Sequence, residues 1–281
     1  MPTLPPDFLF SQGSLQDYAD CPRRFQLRYL LELAWPAVSA EPADEFEARL
    51  AQGEMFHRMV QQQVLGIGYS ADASSLAEPL ATWWTNYHHT PPANLPTMRH
   101  PELILSAPLG EHRLVAKYDL IAVDPGRCGV IVDWKTSEKR PKAGWLAARF
   151  QTRVYRYLLV RAGAHLNACA ALHPEQITML YWFANFPDDP ERLPYDATQY
   201  AADEARLTAL IAEIAGLDDD GFPLTGDLKR CLFCPYRSLC NRGAKAGDLD
   251  VEEDDVVAAE EMRAAEPLAG FDFEQVAEIA Y

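Results

Sequence analysis

The chain has 281 residues, 48% of them apolar, and a formal net charge of −16. That length allows a sizeable core in one large domain or two small ones, the acidity argues against a general nucleic-acid binder, and no apolar run is long enough to span a bilayer. The opening MPTLPPDFLF has no basic n-region and no proper apolar h-region, so no signal peptide is expected. A cytoplasmic protein with reduced cysteines is the expectation, and clustered cysteines then read as metal binding before disulfides. The charge is uneven: residues 244–281 hold twelve acids against Lys245 and Arg263, which leaves only −6 on the other 243 residues. Basic groups for a DNA groove are therefore available at Arg23, Arg24 and Arg28, at Lys135, Lys139, Arg140 and Lys142, and at Arg149, Arg153 and Arg156. For any one of them, solvated surface is the simpler role.

Along the chain, residues 11–35 read as two short helices, the first capped by Ser14 and the second opened by Pro22. Residues 36–44 read as a loop, and a helix is predicted from about Glu45 to Val64. The proline-rich stretch from His88 to Pro101 reads as a loop. Three strands follow, Glu102–Pro108, Arg113–Val123 and Gly129–Lys135. A helix is predicted from about Ala143 to Ala162, a buried strand over Gln176–Ala184, a loop over Asp188–Pro194 and an amphipathic helix over Thr198–Ala215. This order predicts an α/β fold with a mixed sheet. The divisions expected are an N-terminal helical segment (1–44), a core (45–215), a cysteine motif (216–243) and an acidic tail (244–281).

Asp124-Pro125-Gly126 is a turn signal between two of the strands. A hairpin centred on Gly126 sets Asp119 opposite Asp133, with both side chains on one face, and Lys135 shares that face. Trp134 points the other way, into the core. Two opposed carboxylates destabilise a hairpin unless something neutralises them, and a hard divalent cation such as Mg²⁺ or Mn²⁺ does so through oxygen ligands. The chemistry this allows is phosphodiester hydrolysis by a metal-activated water, with Lys135 orienting that water or stabilising charge on the phosphate. An Asp-x-Lys triplet alone is better read as a surface hairpin, so the paired Asp119 matters.

In the helix ending at Val64, Phe46, Leu50, Gly53, His57, Val60 and Val64 form one stripe. His57 therefore faces inward, either as a satisfied core histidine or as a third metal ligand beside the acidic pair. Gly53, one turn earlier, hints at a close approach by another element. Gln151 and Tyr155, four apart on a later helix, share a face. They can reach a phosphate or base, orient Lys135, or simply pack.

Cys231, Cys234 and Cys240 form C-x2-C-x5-C, and Cys21 stands far away near the N-terminus. Pro235 follows Cys234 as Pro22 follows Cys21, so both cysteines precede a helix start, where the helix dipole favours a thiolate. Four cysteines suit a [4Fe–4S] cluster or a zinc ion, and the lone distant fourth ligand favours iron–sulfur. Cys128 and Cys169 have no such pattern and read as free thiols.

Taken in order, these motifs resemble the PD-(D/E)XK nuclease superfamily, and within it the RecB-like branch with an iron–sulfur staple, which includes AddB-type helicase–nuclease subunits and the RecB-like nucleases of CRISPR spacer acquisition. The residues that carry the likeness are Ser14-Leu15, Tyr18, Cys21-Pro22, Phe25 and Tyr29; Gly53 to His57; Ala116 to Asp119, with alanine where the family has glycine; Asp133 to Thr136; and Gln151 to Tyr155. The resemblance implies a restriction-endonuclease-like core, a mixed sheet flanked by helices, whose termini are joined by a four-cysteine cluster. It implies His57, Asp119, Asp133 and the Trp134 carbonyl as ligands of Mg²⁺ or Mn²⁺, and Lys135 as catalytic beside Gln151 and Tyr155. It implies Cys21, Cys231, Cys234 and Cys240 as ligands of the [4Fe–4S] cluster. The expected activity is a DNA nuclease, an exonuclease on single strands or ends. No G-x-x-x-x-G-K-[ST] motif is present, so either a partner supplies any unwinding or the substrate is already single-stranded; a helicase or a CRISPR integrase is the partner in view. Recombination repair, CRISPR adaptation and phage defence are the pathways in view. The rival is a non-catalytic zinc- or cluster-bearing DNA-binding or scaffold subunit of a helicase–nuclease complex.

Overall fold

The computed structural model describes residues 4–33, 41–67, 76–218 and 221–243, with 41–47 as backbone only. In chain order the elements are β1 (Leu9–Ser11), α1 (Gln12–Asp20), α2 (Pro22–Phe25), a π-helical turn (Gln26–Leu30), α3 (Glu41–Val64) and α4 (Leu80–His89). Then come β2 (Met98–Leu109), β3 (His112–Asp124), β4 (Cys128–Lys135), α5 (Ala143–Ala148), α6 (Phe150–Ala162), β5 (Ile177–Phe183), β6 (Phe186–Pro194) and α7 (Ala197–Ala215). No described helix is long and apolar enough to cross a membrane. The acidic tail expected at 244–281 lies outside the described residues.

The described strands form one six-stranded mixed sheet, β1-β3-β4-β5-β6, with β2 on the other edge of β3. β1–β3 and β4–β5 are parallel; β2–β3, β3–β4 and β5–β6 are antiparallel. The mixed α/β architecture expected from the sequence is the one observed. β1 also makes residues 9–11 part of the central sheet.

Alternation along the central strands builds two cores. Val130, Val132 and Trp134 of β4, with Leu180 and Trp182 of β5, meet Phe56, Met59 and Val60 of α3 and Trp83, Trp84 and Tyr87 of α4. The opposite face, with Ile131, Met179, Tyr181 and Phe183, meets Val154, Leu158 and Leu159 of α6, and α7 closes that layer with Leu207, Leu210 and Ile211. A strand buried on both faces reads as a near-continuous apolar run, which is what V-I-V-D-W shows apart from its aspartate.

Several elements depart from the sequence expectation. Ser11, not Ser14, is the N-cap of α1; Ser14 is its partner in a reciprocal capping box. Residues 41–44, expected as loop, begin α3, and the remainder of the loop described lies outside the described residues. α4 carries no strong sequence signal, and β2 begins at Met98 inside the proline-rich stretch expected as loop. The helix expected over 143–162 breaks at Arg149, whose ψ is 145°. Arg149 is buried with its guanidinium 4.7 Å from the Trp145 ring, so tertiary packing fixes a break that no glycine or proline announces. Asp188–Pro194, expected as loop, belongs to β6, an edge strand. Prolines and acids are tolerated at an edge because one side of the strand pairs with nothing.

Candidate active site

The site forms where the sheet opens. One edge of β3 pairs with β1 at Arg113–Val115 and with β4 at Leu120–Asp124. Between them, residues 116–119 pair with neither strand on that edge. The β3–β4 hairpin has the expected register about Gly126, from Asp124↔Cys128 to Leu120↔Val132. It stops one step short of the expected 119/133 pair, so the two aspartates are not ladder partners. Buried backbone polar groups must find partners elsewhere, and two residues of the signature supply them. The Trp134 N–H donates to Asp119 Oδ2 at 2.9 Å. The Tyr155 hydroxyl donates to the Lys117 carbonyl at 2.7 Å.

β3 also changes face at this point. Leu114, Ala116 and Tyr118 point into the α6 core, and beyond Asp119 it is Ile121 and Val123 that do so, with Leu120 on the α3 side. Opposite Asp119, Glu102 has a φ of 55° and no ladder partner, flanked by Pro101↔Leu120 and Leu103↔Tyr118. Positive φ is strained for a residue with a Cβ, and such strain collects at functional sites. Glu102 pairs with Lys117 across the lip of the site. The change of face puts Asp119 within reach of both helical layers.

From one layer comes His57. Gly53, Phe56 and Val60 of α3 are buried against the sheet, while His57 sits at the rim of that face, 32% exposed. Its Nδ1 is 3.4 Å from Asp119 Oδ1. The close approach expected at Gly53 is real: a Cβ there would lie 2.9 Å from Thr136 Oγ1, just past Lys135. From the other layer comes Gln151, whose amide nitrogen donates to Asp133 Oδ1 at 2.6 Å and whose oxygen accepts from Lys135 Nζ at 2.9 Å. Lys135 Nζ also lies 2.9 Å from Asp133 Oδ2 and 5.5 Å from the Tyr181 ring centroid. The structure thus brings His57, Asp119, Asp133, Lys135 and Gln151 together. Tyr155 stands apart as a buried strut: its hydroxyl meets Lys117 and the Gln12 amide, and its carbonyl accepts from Tyr118. The Trp134 indole packs on Tyr87 and Trp182, and only its backbone borders the carboxylates.

Burial and the nearby Asp119 push the Asp133 carboxyl up to about 7, against the pull of Lys135. Burial raises Asp119 too, but His57, the Trp134 amide and Lys135 outweigh it and hold that carboxyl below its ordinary value. Burial lowers His57, and Asp119 followed by Asp133 more than reverses it. Two neighbouring carboxylates with divergent proton affinities are the pattern that acid–base and metal sites share.

In EDTA, wild-type stability relative to Asp133→Asn is expected to fall as pH rises from about 4 to about 7. A carboxyl raised in the folded state binds more protons folded than unfolded across that window. Its contribution is complete below the unfolded value of about 3.9 and is lost as pH climbs through the folded one. Melting both proteins at about pH 5 and about pH 7 reads the difference; parallel curves would mean that burial does not hold this proton.

The second constellation lies at the other end of α1. Cys21 ends α1 and precedes Pro22 at the first position of α2. Cys21, Cys231, Cys234 and Cys240 line one cavity with Arg24 and Arg237. None of the six cysteines is in a disulfide. Burial pushes the Cys234 thiol up to about 11, and burial with neighbouring cysteines raises Cys231 and Cys240. Arg24 is buried, bonded to Asp17 and Asp20, and its guanidinium opposes the rise at Cys231 and Cys234. Among the described residues, no three His, Cys, Asp or Glu groups stand in an arrangement that grips a metal ion. At the acidic site the Trp134 amide and His57 contact Asp119, and Gln151 and Lys135 contact Asp133. The donor chemistry of each constellation still fits its expected group, oxygen and imidazole for a hard cation, four sulfurs for a soft one.

Residues that sequence reading missed are Gln12, Glu102 and Asn185. Only Asn185 had a local signal, an asparagine between an apolar run and a proline.

An open mixed sheet flanked by helices, with two aspartates, a lysine and a glutamine gathered at its split edge, has the architecture of a PD-(D/E)XK-type nuclease fold. The family model of the PD-(D/E)XK nuclease superfamily matches residues 9–85 and 67–241, and the chain belongs to that superfamily. Among solved structures, a protein from Eubacterium rectale provisionally described as an exonuclease is similar at 10% identity and a TM-score of 0.50, over 88% of this chain and 92% of that one. A protein described as SSO0001 matches at 15% identity and a TM-score of 0.40, over 83% of this chain and 85% of that one. No curated protein matches the sequence.

Proposed function

We propose that this chain is a Mg²⁺- or Mn²⁺-dependent DNA nuclease that digests single strands from their ends. The observation that carries the reading is the convergence at the split edge of the sheet of Asp119 from β3, Asp133 and Lys135 from β4, and His57 from α3. Asp119, Asp133, His57 and the Trp134 carbonyl would hold the cation, which when bound supplies Lewis acidity and a readily ionised water. Asp133, costly as a buried anion, gains most from a neighbouring positive charge. Gln151 aims the Lys135 ammonium, which lies where it can stabilise charge on a phosphoryl oxygen. Tyr155 acts behind them, holding the open edge of β3 in place.

Cys21, Cys231, Cys234 and Cys240 would carry a [4Fe–4S] cluster, a structural staple like that of the RecB-like branch. The partner would be a helicase, which would supply any duplex unwinding, or a CRISPR integrase, in repair, CRISPR adaptation or phage defence. The end-directed part of the reading follows the description of the Eubacterium rectale protein.

Linear and circular single-stranded DNA, offered with Mn²⁺, test it. Linear strands are expected to be degraded and circles spared. Asp119→Ala is expected to cleave neither while binding DNA as wild type does. Cleavage by Asp119→Ala would overturn the site, and cleavage of circles would replace end-directed digestion by internal cutting.

A further inference from the structure

We propose that Asn185 is a positioning residue of this nuclease: its amide clamps the chain that leaves Lys135 and thereby fixes Lys135 and, through Thr136, the helix that carries His57. The proposal rests on the active-site reading above.

Asn185 lies in the two-residue turn Ala184-Asn185, between the paired residues Phe183 and Phe186 that end β5 and begin β6. β4 ends at Lys135, so the next carbonyls have no strand to pair with. The turn supplies every partner. The Ala184 N–H donates to the Lys135 carbonyl at 2.7 Å. Asn185 Nδ2 donates to the Thr136 carbonyl at 3.2 Å and to the Ser137 carbonyl at 2.9 Å. Three consecutive carbonyls, from Lys135 at the end of the Asp-x-Lys triplet to Ser137, are thus tied to one turn.

The orientation of the amide is itself determined. Asn185 Oδ1 accepts from Trp83 Nε1 at 2.9 Å. An indole nitrogen only donates, so the oxygen must face Trp83 and the nitrogen must face the carbonyls. Trp83 is 1% exposed and packed edge-on against Phe56 in the α3/α4 core, so its indole is held in place. A second amide, Asn86 Nδ2, holds the Ala184 carbonyl at 2.8 Å. α4, for which the sequence offered no role, is therefore the anchor of the turn.

What the clamp holds decides its function. Thr136 Oγ1 occupies the space left by the missing side chain of Gly53, one turn before His57 on α3. Lys135, one residue earlier, must keep its Nζ on Asp133 and Gln151. A shift of Thr136 would move both groups relative to Asp119. Displacements of about 1 Å at such sites cost rates of about 100-fold.

Single-turnover cleavage with Mn²⁺, DNA affinity in EDTA and thermal stability are measured together. Asn185→Ala is expected to stay folded and bind DNA as wild type does, but to cleave about 100-fold more slowly. Asn185→Asp is expected to be no better, because a carboxylate has no proton to offer two carbonyls. Trp83→Phe keeps the ring and loses the N–H, so a smaller loss of rate is expected. The double variant Trp83→Phe/Asn185→Ala is expected to be no slower than Asn185→Ala, since both act through one amide. Multiplicative losses, or a wild-type rate in Asn185→Ala beside an inactive Asp119→Ala, would overturn the clamp and leave the active site standing. If Asp119→Ala also cleaves, the site reading falls first. Should Asn185→Ala fail to fold, Trp83→Phe decides: a lower rate at unchanged affinity supports the clamp, and an unchanged rate overturns it.

Discussion

Replacing Lys135 by alanine is expected to slow cleavage by about 10²–10³-fold with the fold and DNA affinity retained. Its side chain is 12% exposed, so its charge acts in a medium poorer than water. Nζ contacts Asp133 and Gln151 and lies over Tyr181, and these three neighbours fix its direction. A preorganised cation costs no rearrangement when negative charge develops on phosphate, which is why its loss falls on the rate rather than on binding. Lys135→Arg is expected to recover little. A planar guanidinium has a different reach and a different set of donors, and Gln151 offers a single oxygen at the distance an ammonium needs. Single-turnover rates at saturating Mn²⁺, with melting temperature as the control for folding, check it. A rate within a few-fold of wild type would remove Lys135 from the chemistry.

The hairpin was legible because its turn is local. Pro125-Gly126 sets the register, and the observed pairs keep it from Asp124↔Cys128 to Leu120↔Val132. The place where the ladder ends was not legible. It depends on β1 joining the same edge of β3, and three residues of strand leave almost no periodic signal. The same limit explains β6: prolines at 187, 190 and 194 argue against a strand until the strand is known to be an edge. At the site, Gly53 was informative because glycine inside a helix needs a reason, and Thr136 is that reason. His57 was placed on the right helix but at its rim, since a stripe fixes a face within about one residue in each turn. The local signal at Asn185 marks a turn and nothing more, and its clamping role was not legible for a physical reason as well. Its meaning lies in partners about 50 residues away at Thr136 and Ser137 and about 100 away at Trp83, and no local pattern encodes such separations.

Protein purified without oxygen is expected to be brown, with about four irons per chain, and Cys231→Ala is expected to lose both the colour and the fold. Joining Cys21 to Cys231 closes a loop of about 210 residues. By chain-entropy arithmetic, restricting the unfolded chain over that length is worth about 5 kcal/mol. That equals the whole stability of many domains. The packing on either side of Cys21 shows what else depends on the staple. α1 (Gln12–Asp20) ends at Cys21, and its Gln12 and Gln16 reach Tyr155 and the Phe150 amide of α6. α6 carries Gln151, so release of α1 would loosen the helix that aims Lys135. The raised thiols set a further condition: their protons must leave when a metal or cluster binds, with Arg24 favouring the thiolates at Cys231 and Cys234. Iron, sulfide and zinc analysis of wild type, with melting curves of Cys231→Ala, settles the assignment. Colourless protein holding one zinc would make the staple a zinc site, and a folded, active Cys231→Ala would show that the termini are held by packing alone.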